Sequence, residues 1–393
     1  MDIYGIKDFP EVQIGGTIKK EPEDFIVEEI MPSGKTCSVD TGIIEKILDW
    51  LPKKREEQLH FTLLKRDYTT QRAIKQIASR LRISDRRFGY AGTKDKRALT
   101  AQRISVWNIP IRELKKIKAR DMLIKNYNYS KQRLTLGDLS GNRFTITIRD
   151  ITIPSEEIKE KIVKFAKELS SSLPNYFGPQ RFGVQRAINY IVGKNLLLRN
   201  FEEAAKALIA YPGNESADAT SARKFATENW GKWAEILKIW PRFLGIEAAL
   251  LNYLVQYPTD YANAFRRLPK NLRRMFIHAA QSYIYNVTLT KLLEAGKTLP
   301  DTLPLIGYGT NLESEVGKII KETAEAEGID CELFRLKHMP ELAEAGEERN
   351  TKLTIKNFRV LHIGKDMATI RFILDKGSYA TVLLKALLGT YYE

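Results

Sequence analysis

Residues 59–107 read LHFTLLKRDYTTQRAIKQIASRLRISDRRFGYAGTKDKRALTAQRISVW, and the changes of period along this stretch decide the fold class. Leu59–Leu64 has the composition of a strand. Thr69–Leu81 then places Ala73, Ile74, Ile77 and Leu81 at helical spacing, with Thr70 near the cap. Arg87–Ala91 reads as a short strand, Gly92–Arg97 as a turn and Ala101–Trp107 as a further strand. Upstream, Lys19–Ile30 contains the strand FIVEEI, entered through Pro22. Downstream, Arg143–Ile148 alternates Phe144, Ile146 and Ile148 after a Ser140-Gly141-Asn142 turn. Strands and helices that interleave this irregularly predict an α+β fold with a mixed sheet rather than a doubly wound one.

Beyond this region the texture changes. Ser155–Leu169 reads as a helix with Ile158, Ile162, Phe165 and Ala166 on one face, ending at the serine run 170–172. From about Asn195 helix follows helix: Phe201–Ala210, Ala217–Leu237, Gly245–Gln256 and Asn271–Leu293. The last forty or so residues return to strand texture in FRVLHI, TIRFIL and YATVLL. This order predicts an α+β domain formed by residues 1–195 and 350–393, interrupted by a mainly helical insert over residues 196–349.

Composition narrows the function. The 393 residues suit two domains, and 43% hydrophobic with 28% charged residues is a globular balance. No apolar run approaches the ~20 residues that span a bilayer. The opening MDIYGIKDFP, acidic and interrupted by proline, does not resemble a signal peptide, so a cytoplasmic location is expected. Cys37 and Cys331 lack partner spacing, and His60, His278, His338 and His362 are scattered, so no metal site is expected. The net charge of +15 is localised: residues 51–150 carry 25 basic and 9 acidic side chains, whereas Glu313–Glu348 is acidic. A thermophile-like charged surface accounts for many charges but not for this bias, which favours a nucleic-acid partner.

Two segments carry candidate chemistry. Phe88–Gln102, FGYAGTKDKRALTAQ, sets one carboxylate, Asp95, at a glycine-marked turn beside Lys94, Lys96 and Arg97. Cations brought close in space favour an ionised carboxylate fit for nucleophilic or base chemistry; the same string is also what an ordinary solvated turn looks like. The order Gly-Thr-Lys-Asp does not fit a nucleotide-binding loop, and no nucleotide cofactor is expected. Pro174–Gly183, PNYFGPQRFG, crowds aromatic, amide and guanidinium groups after a helix. That set suits an extruded base, and Phe177 and Phe182 equally suit a core.

Taken in order, these segments and their companions resemble the TruD family of pseudouridine synthases almost end to end. The resemblance rests on Lys19 with Pro22–Glu29 (PEDFIVEE), Lys65 and Thr70, Gly89–Gln102, and Gly141-Asn142-Arg143-Phe144. It continues through Asn175-Tyr176-Phe177-Gly178, Gln180-Arg181-Phe182-Gly183, His278-Ala279, Gln281-Ser282-Tyr283 with Asn286, Pro304–Tyr308 and Lys376–Thr381. Pro179 departs from the acidic or polar residue expected there, Thr93 fills a variable position, and Gly346–Thr351 follows the family's basic pattern only through Arg349. The resemblance implies a pseudouridine-synthase domain with a mixed, largely antiparallel sheet and an inserted, mainly helical TRUD domain. It implies Asp95 as the catalytic aspartate, with Lys19 and Lys94 beside it, Asn175 holding the site and Phe177 stacking on the target base. Arg143, Arg181, Arg97 and Gln180 become candidates for bracing the site or contacting RNA. The implied partner is tRNA, the reaction a cofactor-free isomerisation by a monomer, and the family's target U13 of the D-arm. Relatives that modify U35 or other RNAs, and a non-catalytic RNA-binding or chaperone protein on the same scaffold, are the alternatives.

Overall fold

The computed structural model describes residues 2–7, 11–169 and 173–390; the serine run 170–172, read above as a helix end, lies outside them. The chain divides into two compact units, one built on Pro10–Leu173 with Leu353–Tyr392, the other on Pro174–Lys352 with Met1–Phe9. These boundaries fall earlier than residue 195 and later than residue 350. The segment after Leu173 contains no long helix, yet it is tied by hydrogen bonds to the helical unit, which composition does not reveal.

The first unit is organised by a mixed eight-stranded sheet. Its strands are β1 (Phe25–Ile30), β2 (Gln58–Arg66), β3 (Phe88–Tyr90), β4 (Leu99–Trp107), β5 (Met122–Ser130), β6 (Gly141–Ile148), β7 (Ile355–Ile363) and β8 (Ala368–Asp375). The order is β5-β2-β4-β1-β6-β8-β7, with β3 added to β4. Among the described residues only β1 and β4 run parallel, and every other pair of this sheet is antiparallel. Period-2 alternation turns Leu59, Phe61 and Leu63 of β2 and Ile104 and Val106 of β4 onto one face. There they are fully buried against Ala73, Ile74 and Ile77 of helix α1 (Thr70–Leu81). Thr69, not Thr70, caps α1 by accepting from the Arg72 amide. That frees the Thr70 hydroxyl for another task.

Gly89 of β3 is dictated by close approach. A Cβ there would lie 2.3 Å from the Leu134 carbonyl oxygen and 2.6 Å from Ser105 Oγ. β3 therefore leads into the following turn along a path closed to other residues.

The second unit is helical and centred on α2 (Lys270–Glu294), most of whose faces are buried. Helix Asn189–Leu197 crosses α2 so closely that a Cβ on Gly193 would meet the Phe276 carbonyl oxygen at 1.9 Å. A short ribbon pairs Thr302–Leu305 with Glu347–Asn350. Two expectations are corrected. Ala217–Leu237 is not one helix but Ala217–Glu228 and Trp233–Ile239, broken where Gly231 takes a φ of +94°. The YATVLL segment is not a strand: Ala380–Leu388 is a helix of the sheet unit, closed by Gly389 in the left-handed conformation. Eight of its nine residues are buried, so its apolar run lacks the period that separates helix from strand.

Candidate active site

The turn between β3 and β4 is built by buried side chains that grip its backbone. Thr70 Oγ1 accepts from the Lys94 amide at 3.1 Å and donates to Gln102 Oε1 at 2.7 Å. Gln102 Nε2 donates in turn to the Gly92 carbonyl at 2.9 Å. Lys65, with no exposed surface, donates to the carbonyls of Tyr68 at 2.5 Å, Asp95 at 2.8 Å and, more weakly, Lys94 at 3.4 Å. Burial pulls the Lys65 ammonium down to about 8, against a smaller upward pull from Asp95.

This scaffold leaves the Asp95 side chain 39% exposed while its backbone is fixed. The cations that flank it in sequence do not neutralise it. Lys94 turns into the interior and pairs with Glu29 at 2.7 Å, both side chains buried. Glu29 is fixed from its other oxygen, which accepts from the Arg103 amide at 3.0 Å. Arg97 is exposed and donates to the Lys20 carbonyl at 3.3 Å, and Lys96 is exposed. The ionic partner of Asp95 among the described residues is Lys19, whose Nζ stands 3.7 Å from Oδ2 and 4.1 Å above the Phe25 ring.

Lys19 reaches this position from a left-handed backbone, φ +58°, a conformation that costs a non-glycine residue about 1 kcal/mol or more. The surrounding turn holds it there. Asp24 pairs with Arg149 at 2.7 Å, and Asp150 accepts from Lys20 at 2.7 Å and Thr17 at 2.5 Å. Arg143 of β6 pairs with Glu28 of β1 at 2.6 Å, cross-strand neighbours in register. The pair ties β6 to β1, the strand that carries Phe25 beneath Lys19.

In the helical unit, Asn175 and Phe177 form a second polar and aromatic cluster. The Asn175 side chain donates to the Asn350 carbonyl at 2.9 Å and accepts from Arg349 at 2.9 Å. Arg349 also donates to the Asn175 carbonyl at 3.0 Å. Asn286 of α2 accepts from the Phe177 amide at 2.9 Å and donates to the Phe177 carbonyl at 3.0 Å. The Phe177 ring is buried, with the Arg349 guanidinium 3.8 Å and that of Arg181 5.1 Å from its centroid and Tyr285 edge-on at 5.4 Å. Arg349, through which Gly346–Thr351 follows the family's basic pattern, thus directs donors to Asn175. Gln180 and Arg181 lie in the short helix Pro179–Phe182 of the same unit. Among the described residues no group of three or more His, Cys, Asp or Glu could hold a metal ion, and no helix is long and apolar enough to cross a membrane.

Residues 9–303 and 296–387 match the family described as tRNA pseudouridine synthase D (TruD). The chain belongs to the TruD family. A relative from Methanopyrus kandleri, described as a probable tRNA pseudouridine synthase D, is 39% identical over 84% of this chain and 85% of its own length. One of the same description from Methanosarcina barkeri is 35% identical over 95% of this chain and 93% of its own. A crystal structure of a TruD protein from Methanosarcina mazei covers 99% of this chain and 97% of its own, with 32% identity and a TM-score of 0.71. This TruD chain is accordingly an enzyme, an isomerase of the pseudouridine-synthase class, and its mixed sheet belongs to the α+β fold expected from sequence.

Of the residues singled out in this TruD sequence, the sheet unit brings Asp95 and Lys19 together, with Lys94 next to Asp95 in the chain but paired inward. Arg97 and Arg143 belong to the same unit, whereas Asn175, Phe177, Gln180 and Arg181 belong to the helical one. Sequence reasoning assigned no task to Glu29, Lys65, Thr70 or Gln102, which shape the turn. A signal existed: a lysine closing the apolar run FTLLK, and a glutamine inside LTAQRISVW, are polar groups at positions the strand pattern sends inward.

Proposed function

We propose that this enzyme converts a uridine of tRNA to pseudouridine, with Asp95 as the catalytic carboxylate and U13 of the D-arm as the target. The observation that carries the reading is Asp95 itself: a carboxylate with a rigid backbone, an accessible head and one ammonium at a distance too long for a hydrogen bond. A carboxylate saturated by donors would be a poor nucleophile or base. Lys19 stabilises its charge without blocking its oxygens.

The reaction breaks N1–C1′, turns the uracil and forms C5–C1′; the C5 proton leaves and N1 gains one, so nothing is oxidised and no group is imported. Attack by Asp95 on carbon and removal of the C2′ proton to give a glycal both begin from the ionised carboxylate. The base must first leave its stack, at a cost on the order of a few kcal/mol. Phe177 is the aromatic face for it by the family pattern, supported by Asn175, and stacking requires Arg349 or Arg181 to swing off the ring. A displaced guanidinium is well suited to a backbone phosphate. The exposed cations Arg72, Lys75, Arg82, Arg112, Lys118 and Arg120 of the sheet unit supply salt-sensitive affinity. Action as a cytoplasmic monomer without a cofactor belongs to the same reading.

The test is Asp95→Asn, assayed on unmodified tRNA by mapping of pseudouridine. Loss of the product with tRNA binding retained is expected; full activity sinks the assignment. Pseudouridine at a position other than U13 corrects the target and leaves the chemistry standing.

A further inference from the structure

Lys65 occupies an unusual place for an ammonium group. Its side chain has no exposed surface, and no carboxylate pairs with it at ion-pair distance among the described residues. Its hydrogen bonds go to main-chain carbonyls: Tyr68 before α1, and Lys94 and Asp95 in the turn that carries the carboxylate. Burying a charge this way is costly, and a strand that needed only packing would be better served by leucine or methionine. Three donors meeting three carbonyls leaves nothing over for a neutral amine to replace, since –NH2 has two donors and a lone pair. The neighbouring turn contacts from Thr70 and Gln102 grip Gly92 and Lys94. Lys65 alone among these side chains bonds the backbone of Asp95.

We propose that Lys65 is the positioning residue of this active site, its ammonium holding the Asp95 main chain so that the carboxylate meets the nucleotide in a productive orientation. The inference rests on Asp95 being the catalytic carboxylate. It assigns Lys65 no contact with substrate. The charged groups facing Lys65 are Asp95, which favours its protonated form, and Lys94, which opposes it; its neighbours on β4 and β5, Thr100 and Met122, are uncharged, and Tyr68 offers its carbonyl. Because burial holds Lys65 to about 8, raising the pH converts the clamp to a neutral amine while the protein is otherwise intact. The single-turnover rate should then decline on the alkaline side, with tRNA affinity little changed.

The experiment compares wild type, Lys65→Met, Lys65→Arg and Asp95→Asn on unmodified tRNA, measuring single-turnover rate against pH and tRNA binding separately. Lys65→Met should lose about 100-fold in rate, the scale of an ångström's misplacement, and bind tRNA as wild type does. Lys65→Arg, whose charge does not titrate in this range, should recover part of that loss and show no decline near pH 8. A merely structural lysine would lower the melting temperature and leave the alkaline limb where it was. Wild-type turnover by Lys65→Met, with Asp95→Asn inactive, overturns the inference alone, as does an alkaline limb shared by wild type and Lys65→Arg. A wild-type rate level from pH 7 to about 9.5 overturns it even where neither lysine variant folds. An active Asp95→Asn instead overturns the reading on which it rests.

Discussion

The sheet unit and the helical unit each bury a group of charges, and the two groups are connected differently. In the helical unit Arg223, almost fully buried, donates to Glu215 at 2.5 and 2.9 Å, to Glu247 at 2.9 Å and to the carbonyls of Leu208 and Ile209. Arg186 adds Glu247 and the carbonyls of Leu208 and Tyr211. Two guanidiniums and two carboxylates cancel, and their hydrogen-bonding capacity is spent locally. In the sheet unit the acceptors of Lys65 are backbone, Lys94 is consumed by Glu29, and Asp95 is left with one ammonium at 3.7 Å. A saturated network fixes helices; an unsaturated one, rigid behind and open in front, can react.

The sharpest way to break this contrast is to neutralise each group in turn. Asp95→Asn keeps shape and removes charge, and turnover should fall by about 10³-fold or more with the melting temperature within a few degrees. Loss of fold instead would make Asp95 a structural residue like Arg223. The converse holds for Arg223→Leu, which leaves two buried carboxylates, Glu215 and Glu247, to share Arg186 alone and should destabilise by about 3–5 kcal/mol in denaturant titration. The folded fraction should keep its specific activity, and a selective loss of rate would show that the saturated network reaches the chemistry. Lys19→Met should cost about tenfold in single-turnover rate, recovered in part by Lys19→Arg, as suits one half-exposed ion pair. An unchanged rate would mean the strained backbone of Lys19 serves something other than Asp95.

The smallest effect concerns Glu28. Burial would raise its carboxyl, but the Arg143 guanidinium and the Val39 amide more than offset this and hold it below the ordinary range. A lowered folded-state pKa gives stability that is present above the unfolded value, near pH 4, and lost as the pH falls through the folded one. Glu28→Gln should therefore be less stable than wild type at pH 7 by about 1–2 kcal/mol, and the gap should close towards pH 3. A gap independent of pH would assign the brace to packing.

Much of this was readable along the chain. The alternation in β2, β4 and β6 and the spacing of α1 are local properties, set by which side chains must leave water. Where burial is nearly complete that signal disappears, which is why Ala380–Leu388 resembled a strand. The KDKR string gave the position of the carboxylate but misdirected its electrostatics: adjacency in sequence sends Lys94 inward and Arg97 away, and the partner comes from Lys19, many residues upstream.

The sequence by itself determined the sheet-and-helix order, the localised positive charge and the family, because periodicity, composition and ordered motifs need no third dimension. Only the tertiary structure decided which cation serves Asp95 and which are spent elsewhere. Coulomb and hydrogen-bond energies depend on distances of a few ångströms between segments far apart in the chain. Lys65 shows the division most plainly: in sequence it ends an apolar run, and in the fold its ammonium holds the main-chain carbonyl of Asp95, the residue on which the reaction is proposed to turn.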